Sequence, residues 1–208
     1  LTNGLVGYWT FDGKDTNWST RQLTDSSGNG NTATIAGGMP MTTTPTIGKI
    51  GQAFQFRAVG GDVILTGISL GTVHSLSVWV KPKDGSDGII AGGGYNDGYM
   101  LYISGITASD VFWYRDGGNA SIASSGAMGG LTVGKWTYIV VVRNGTSVTF
   151  YKNGVPYGAG LGTNNAITVQ SLSDQAGGLP TKAALDDVRI YNRALSAAEV
   201  QQLYNAGR

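Results

Sequence analysis

The chain has 208 residues, 34 of them glycine, with no cysteine, one histidine and 13 acidic residues against 14 basic ones. Glycine at more than twice its ordinary ~7% share, together with a single glutamate, excludes a helical bundle and disfavours a regular α/β fold. A net charge of +1 without any Lys/Arg cluster excludes a nucleic-acid partner, and the missing cysteines exclude disulfides, thiolate metal sites and cysteine nucleophiles.

Strands announce themselves by alternation and by β-branched or aromatic content. The first is Leu5–Phe11 (LVGYWTF), stopped by Asp12-Gly13. Turn-rich stretches follow at Asp25–Asn31 (DSSGNGN) and Gly37–Gly51. Leu76–Val80 (LSVWV) is the next strand, ended by Pro82, which cannot donate to a ladder. Gly92–Gly98 (GGGYNDG) reads as a loop between it and Tyr99–Ile103 (YMLYI), and Val111–Arg115 (VFWYR) follows. Trp136–Tyr157 predicts a three-strand meander turning at Asn144-Gly145 and Asn153-Gly154, pairs suited to type I′ turns. Leu185–Tyr191 (LDDVRIY) is the last strand.

One helix is signalled, at the C-terminus. Ser196 and Glu199 form a capping box, Leu195 and Val200 are placed as a hydrophobic staple, and Gly207 is expected to supply a left-handed exit. The only glutamate is thereby explained as a cap. No linker or internal repeat divides the chain, so residues 1–208 read as one all-β domain. The longest uncharged apolar run, Trp136–Val142, is far below the ~20 residues of a membrane span, so no membrane insertion is expected.

Four stretches together resemble one family: LVGYWTFDG, DSSGNGN, SLSVWVKP and LDDVRIYNRALSAAEVQQLYNAG. The chain is similar to laminin-G-like, concanavalin A-like jelly-roll domains of the bacterial type, and GKWTYIVVVRNGTSVTFYKNG extends the match to essentially the whole length. The resemblance implies a two-sheet antiparallel jelly-roll sandwich with a short C-terminal helix, and with the first and last strands adjacent. It implies a non-catalytic module, often holding one calcium ion, within a larger multidomain protein. The expected partner is a glycan or a cell-surface ligand, and the expected location is extracellular or at the cell surface. The chain begins at Leu1 without a signal peptide and reads as a mature fragment or excised domain.

The same fold hosts glycosidases, which need two carboxylates flanking the scissile bond. The E-x-D-x-x-E strand motif of laminarinase-type enzymes is absent, and Asp84 and Asp87 sit in a Gly/Ser loop as turn formers. His74 has no G-x-S-x-G partner for a triad and reads as structural. No catalytic residue is assigned. A non-catalytic carbohydrate-binding or adhesion module is therefore the leading expectation. The alternative is a structural or protein-interaction domain, such as a spacer or receptor-binding decoration of an adhesin or phage particle.

Sugar sites use exposed aromatic faces with polar groups beside them. In VFWYR, Trp113 and Arg115 share one face and Phe112 and Tyr114 the other. Tyr95 and Asn96 lie in the neighbouring glycine-rich loop, so Tyr95, Asn96, Trp113 and Arg115 form a candidate ligand groove; the competing reading makes Trp113 core and Tyr95 an ordinary loop aromatic. Trp18, in a polar loop, is a second candidate anchor.

For a metal, strict alternation in LDDVRIY puts Asp186 on the face of Val188 and Ile190, an inward carboxylate needing a counter-charge. Asp187 then shares a face with Arg189, with which it can pair. Adjacent first and last strands would bring Asp12 near Asp186, and the DSSGNGN loop offers Asp25, Asn29 and Asn31. These hard oxygens suit a structural Ca2+ with Asp12, Asp25, Asn31 and Asp186 as ligands. The resemblance points to the same last-strand aspartate. The competing reading makes Asp12 and Asp25 turn residues and satisfies Asp186 with backbone N–H groups.

Overall fold

The computed structural model describes residues 1–56, 61–85, 88–94, 98–104, 111–116, 122–124, 131–173 and 181–207. Its first strands are β1 (Leu5–Trp9), β2 (Thr16–Asn17), β3 (Gln22–Leu23), β4 (Ala33–Ile35), β5 (Pro45–Ile47) and β6 (Gln52–Gln55). Next come β7 (Val63–Leu70), β8 (Val73–Pro82), β9 (Gly88–Gly94), β10 (Gly98–Ser104), β11 (Val111–Arg115) and β12 (Ile122–Ser124). The chain closes with β13 (Thr137–Asn144), β14 (Ser147–Lys152), β15 (Val155–Leu161), β16 (Ile167–Leu172), β17 (Ala183–Tyr191) and helix α1 (Ala197–Ala206).

These strands form two antiparallel sheets. Sheet A runs β15-β14-β13-β8-β17-β6-β5, with β1 also paired to β17. Sheet B runs β12-β11-β10-β9-β16-β7-β4-β3-β2. Between them lies the main core, with Leu76, Val78 and Val80 of β8 and Ile139 and Val141 of β13 facing Phe112 and Tyr114 of β11 and Ile90 of β9. The first and last strands are adjacent, as expected, with Trp9 opposite Val188.

The meander forms, with one turn shifted. Lys152 pairs with Val155, and Asn153 and Gly154 both have positive φ (51° and 83°), as a type I′ turn requires. In the other hairpin Asn144 pairs with Ser147, so the two turn residues are Gly145 and Thr146 rather than Asn144 and Gly145. Only Gly145 has a positive φ there, which is the type II′ demand for glycine at the first position. A second correction concerns the expected loop at Gly92–Gly98: Gly92–Gly94 belong to strand β9 and Gly98 to β10. A Cβ at Gly92 would lie 2.7 Å from the Gly98 carbonyl oxygen and 2.8 Å from Tyr99 Cα, so glycine allows β9 and β10 to pack closely.

Helix α1 covers the outer face of sheet A. Val200 and Leu203 pack with Leu195, Trp79, Tyr138, Val140 and Tyr191 in a second apolar cluster. Ser196 and Glu199 form the capping box, and Arg193 clamps both Glu199 oxygens at 2.7 and 2.9 Å. These bonds, that from Arg193 first, hold the Glu199 carboxyl down at about 2. Gly207 departs from expectation, with φ −105° instead of a left-handed exit. Its role is steric, because a Cβ there would sit 2.6 Å from Trp79 Nε1. Ser196→Ala is expected to destabilise the fold by about 1 kcal/mol in chemical denaturation, the ordinary effect of losing an N-cap.

Candidate functional site

Two places concentrate polar chemistry. The first is a seam in sheet A. Along one side β17 pairs continuously with β8, apart from an irregularity between Asp186 and Arg189. On its other side Ala184 and Leu185 pair with β6, whereas Val188–Tyr191 pair with β1. Asp186 and Asp187 fall in the gap. Asp187 takes φ +56°, a left-handed conformation rare outside glycine, and this breaks the alternation of the strand.

Face assignment changes accordingly. Leu185 and Val188 both belong to the main core, while Asp186 sits opposite Trp79, a member of the outer cluster. Asp186 is thus buried on the outer side of sheet A, not on the face of Val188 and Ile190. Asp187 does pair with Arg189, at 2.7 Å.

The turn at residues 48–52 closes over the seam. Asp186 Oδ2 accepts the backbone N–H groups of Lys49 (2.8 Å) and Ile50 (2.9 Å), and Asp12 Oδ1 accepts that of Gln52 (2.8 Å). Gly51 has φ +60° and its Cβ position is only 2.3 Å from Asp12 Oδ1, so a side chain there would expel the carboxylate. The backbone-donor reading of Asp186 therefore covers one oxygen. Its Oδ1 is buried without a hydrogen-bond partner. Burial, reinforced by the Asp187 and Asp12 charges and opposed by the two N–H donors, pushes the Asp186 carboxyl up to about 7.

Asp25 and Asn31 do other work. Asp25 Oδ1 accepts Tyr8 N and Ser27 N, both at 2.9 Å; Oδ2 accepts Ser27 Oγ at 2.8 Å and Asn31 N at 2.9 Å. Asn31 Nδ2 donates to the Val6 carbonyl at 2.7 Å. The DSSGNGN loop is thus wrapped around its own carboxylate and tied to β1. Among the described residues no three Asp, Glu or His side chains converge as a metal-holding group, so Asp12, Asp25 and Asp186 are not assembled into one.

The second place is the outer face of sheet B. Phe112 and Tyr114 enter the core, which turns Trp113 and Arg115 outward, as their alternation predicts. Trp113 lies opposite Tyr102, and Arg115 opposite Tyr99. Register shifts between Tyr99 and Tyr102 bring these tyrosines to one side, with ring centroids 5.4 Å apart. Sequence alternation gives Tyr99 and Tyr102 opposite faces, which is why neither is foreseen as part of the groove. Trp113 and Tyr102 are half-buried, whereas Tyr99 and Arg115 are buried. Tyr95 and Asn96 lie outside the described residues. Trp18 is not an exposed anchor: it is partly buried against the core, its ring 5.4 Å from that of Phe54.

A family model described as the concanavalin A-like lectin/glucanase superfamily matches residues 59–201, well over half of the chain. The chain belongs to this family. Among solved structures, it is similar to domain 4 of the extracellular arabinanase AbnA from Geobacillus stearothermophilus, determined in complex with arabinotriose. That likeness has 23% identity and a TM-score of 0.76, covering 96% of this chain and 98% of that one. It is also similar to Trypanosoma rangeli sialidase (16% identity, TM-score 0.66), over 97% of this chain but 32% of the enzyme. A curated relative is adhesion G-protein coupled receptor V1 of Danio rerio, 23% identical over 168 residues; the match spans 74% of this chain and 3% of the receptor.

The lone histidine is buried within the sandwich, and burial pulls it down to about 4. His74 and Asp186 therefore act on stability with opposite signs. A histidine held below its unfolded value of ~6.5 makes the unfolded chain bind more protons between pH 4 and 6.5, so stability rises with pH there. Asp186, held above its unfolded value, makes stability fall as pH rises from about 4 to 7. In metal-free buffer the two slopes, each at most about 1.4 kcal/mol per pH unit, oppose one another. Denaturation midpoints measured at pH 4.5 to 6.5 should climb with pH in Asp186→Asn and fall with pH in His74→Gln, with the parent between them.

Proposed function

We propose that this chain is a non-catalytic carbohydrate-binding module of a larger extracellular protein, binding through the outer face of sheet B. The observation that carries the reading is the aromatic pair Tyr102 and Trp113, half-buried on adjacent strands with Tyr99 and Arg115 beside them. Flat π-faces next to hydrogen-bonding groups match a sugar ring, which has one apolar C–H face and a rim of hydroxyls. The likeness to an arabinanase domain solved with arabinotriose supports a saccharide ligand, and the adhesion-receptor relative supports an extracellular, multidomain setting.

A non-catalytic role is supported by the use of the carboxylates. Glu199 is committed to its cap and Arg193. Asp25 accepts four protein donors, and Asp15 and Asp187 are ion-paired. Hydrolysis needs one proton-bearing and one ionised carboxyl facing each other across an open substrate site. Asp186, the carboxyl pushed upward, is buried on sheet A, away from the aromatic face.

The seam fits a calcium ion. A buried carboxylate oxygen without a partner is the kind of hard donor that calcium takes, and Asp12 and Asp186 would hold it together with backbone carbonyls. When bound, the ion would supply the positive charge that buried Asp186 lacks. Its effect would be to fasten the 48–52 turn and the segment around Asp12 to the last strand. Asp25 and Asn31 keep their separate task of ordering the DSSGNGN loop.

Two measurements test these readings. In calorimetric titrations against a panel including arabino-, xylo- and gluco-oligosaccharides, at least one should bind. Trp113→Ala should weaken that binding at least about tenfold with an unchanged melting curve. Absence of binding across the panel at high protein concentration would instead favour the structural or protein-interaction role. For the metal, millimolar calcium should raise the melting temperature of chelator-treated protein by mass action, and Asp186→Asn should remove the increment. Identical melts in calcium and chelator would eliminate the ion.

A further inference from the structure

Strand alternation places two polar residues where the sandwich interior expects apolar ones. His74 precedes Leu76, Val78 and Val80 on the inward face of β8, and Arg143 follows Ile139 and Val141 on that of β13. They stand directly opposite each other, and both are fully buried. Tyr114 of the other sheet links them. His74 Nδ1 is 2.7 Å from the Gly71 carbonyl and so carries the proton, which leaves Nε2 to accept from the Tyr114 hydroxyl at 3.2 Å. The Tyr114 oxygen in turn accepts from Arg143 Nη1 at 2.7 Å. Arg143 also donates to the carbonyls of Gly145, Thr163 and Asn165 and lies 3.7 Å from Asp116. Asp116 Oδ2 accepts the N–H (2.8 Å) and hydroxyl of Thr163.

The result is one unbroken polar chain from Gly71, in the connection between β7 and β8, through β11 of sheet B, to the loop after β15. Well-packed apolar side chains would fill the same space at equal or better stability, so such a chain points to a use beyond cohesion. Strand β11 needs an anchor. It is second from the end of sheet B, beside the three-residue β12, and its ladder with β10 contains a register irregularity. Tyr114 and Asp116 are the residues by which the chain grips it, and Trp113 and Arg115 stand on its other face.

We propose that His74, Tyr114, Arg143 and Asp116 form an acid-released clasp that fixes β11 to sheet A. In neutral His74 every donor in the chain meets an acceptor. A proton on Nε2 would set N–H against the tyrosine O–H, and the tyrosine oxygen would face two cations, His74 and Arg143. Among the described charged groups, Asp116 alone faces them with opposite sign; its Oδ2 is engaged by Thr163, and its Oδ1 is buried without a hydrogen-bond partner. The loop at 161–166 contributes only carbonyls, N–H groups and the Thr163 hydroxyl. Release at acid pH would free β11 from sheet A while sheet A keeps its own ladder. The low proton affinity of buried His74 places that release in strongly acidic conditions.

Amide hydrogen exchange, corrected for intrinsic rates and read by NMR on the whole domain at pH 7 and pH 4, tests the clasp. Protection of residues 111–116 should fall at least tenfold on acidification, while that of 138–142 in β13 changes little. His74→Gln should remove the pH response, and Tyr114→Phe should leave β11 weakly protected at both pH values. The clasp is overturned if β11 and β13 lose protection together, if β11 keeps its protection at pH 4, or if His74→Gln responds to acid like the parent. Any consequence for ligand release rests on the carbohydrate-binding reading above; the exchange result does not, so a domain that binds no sugar can still show the clasp.

Discussion

The structure depends on the way β17 is paired. It is hydrogen-bonded to β8 on one side and shared between β6 and β1 on the other, so it joins the chain's beginning, its early turns and its end in one sheet. Where the partner changes, two residues have no strand beside them on that side, and both are aspartates. The left-handed Asp187 lets Leu185 and Val188 both reach the core across this break. The cost is a buried carboxylate, Asp186, with one oxygen capped by the 48–52 turn and the other unmatched. A break in pairing thus leaves a buried carboxylate with an unmatched oxygen, the feature on which the proposed calcium site rests.

The two sheets divide the labour. Sheet A carries α1 on its outer face, so its outward aromatics, Trp79 and Tyr138, are covered and structural. On the outer face of sheet B, Tyr102 and Trp113 are half-buried, beside buried Tyr99 and Arg115. The carbohydrate-binding reading we propose places recognition on sheet B, opposite the helix-covered sheet A. Family membership alone does not assign a function, because lectins and glucanases share the architecture.

Much of this was legible in the residues, and the failures have specific causes. The capping box was readable because its signal is local, three residues apart, and backed by a staple. The meander was readable for the same reason, although Asn144-Gly145 misplaced its turn by one residue: the ladder sets the loop, and glycine was needed at its first position. The faces of β17 and β10 were not readable. A single irregularity inverts alternation, so Asp186 emerged on the outer side and Tyr99 joined Tyr102. Gly92–Gly94 read as loop rather than strand because Gly92 answers to close packing against Tyr99 rather than to β-propensity. His74 is buried and hydrogen-bonded, but its partner Tyr114 is not legible in the sequence, since it meets His74 only across the sandwich.

Placing recognition on the outer face of sheet B makes a spatial claim that can be read amide by amide. Titrating the 15N-labelled domain with the best-binding oligosaccharide of a panel and following backbone chemical shifts tests it most directly. Saturable changes should concentrate at Tyr99, Tyr102, Trp113 and Arg115, with the amides of α1 and the outer side of sheet A unmoved. Changes centred on the Asp12–Asp186 seam or under α1, with β10 and β11 silent, would contradict it.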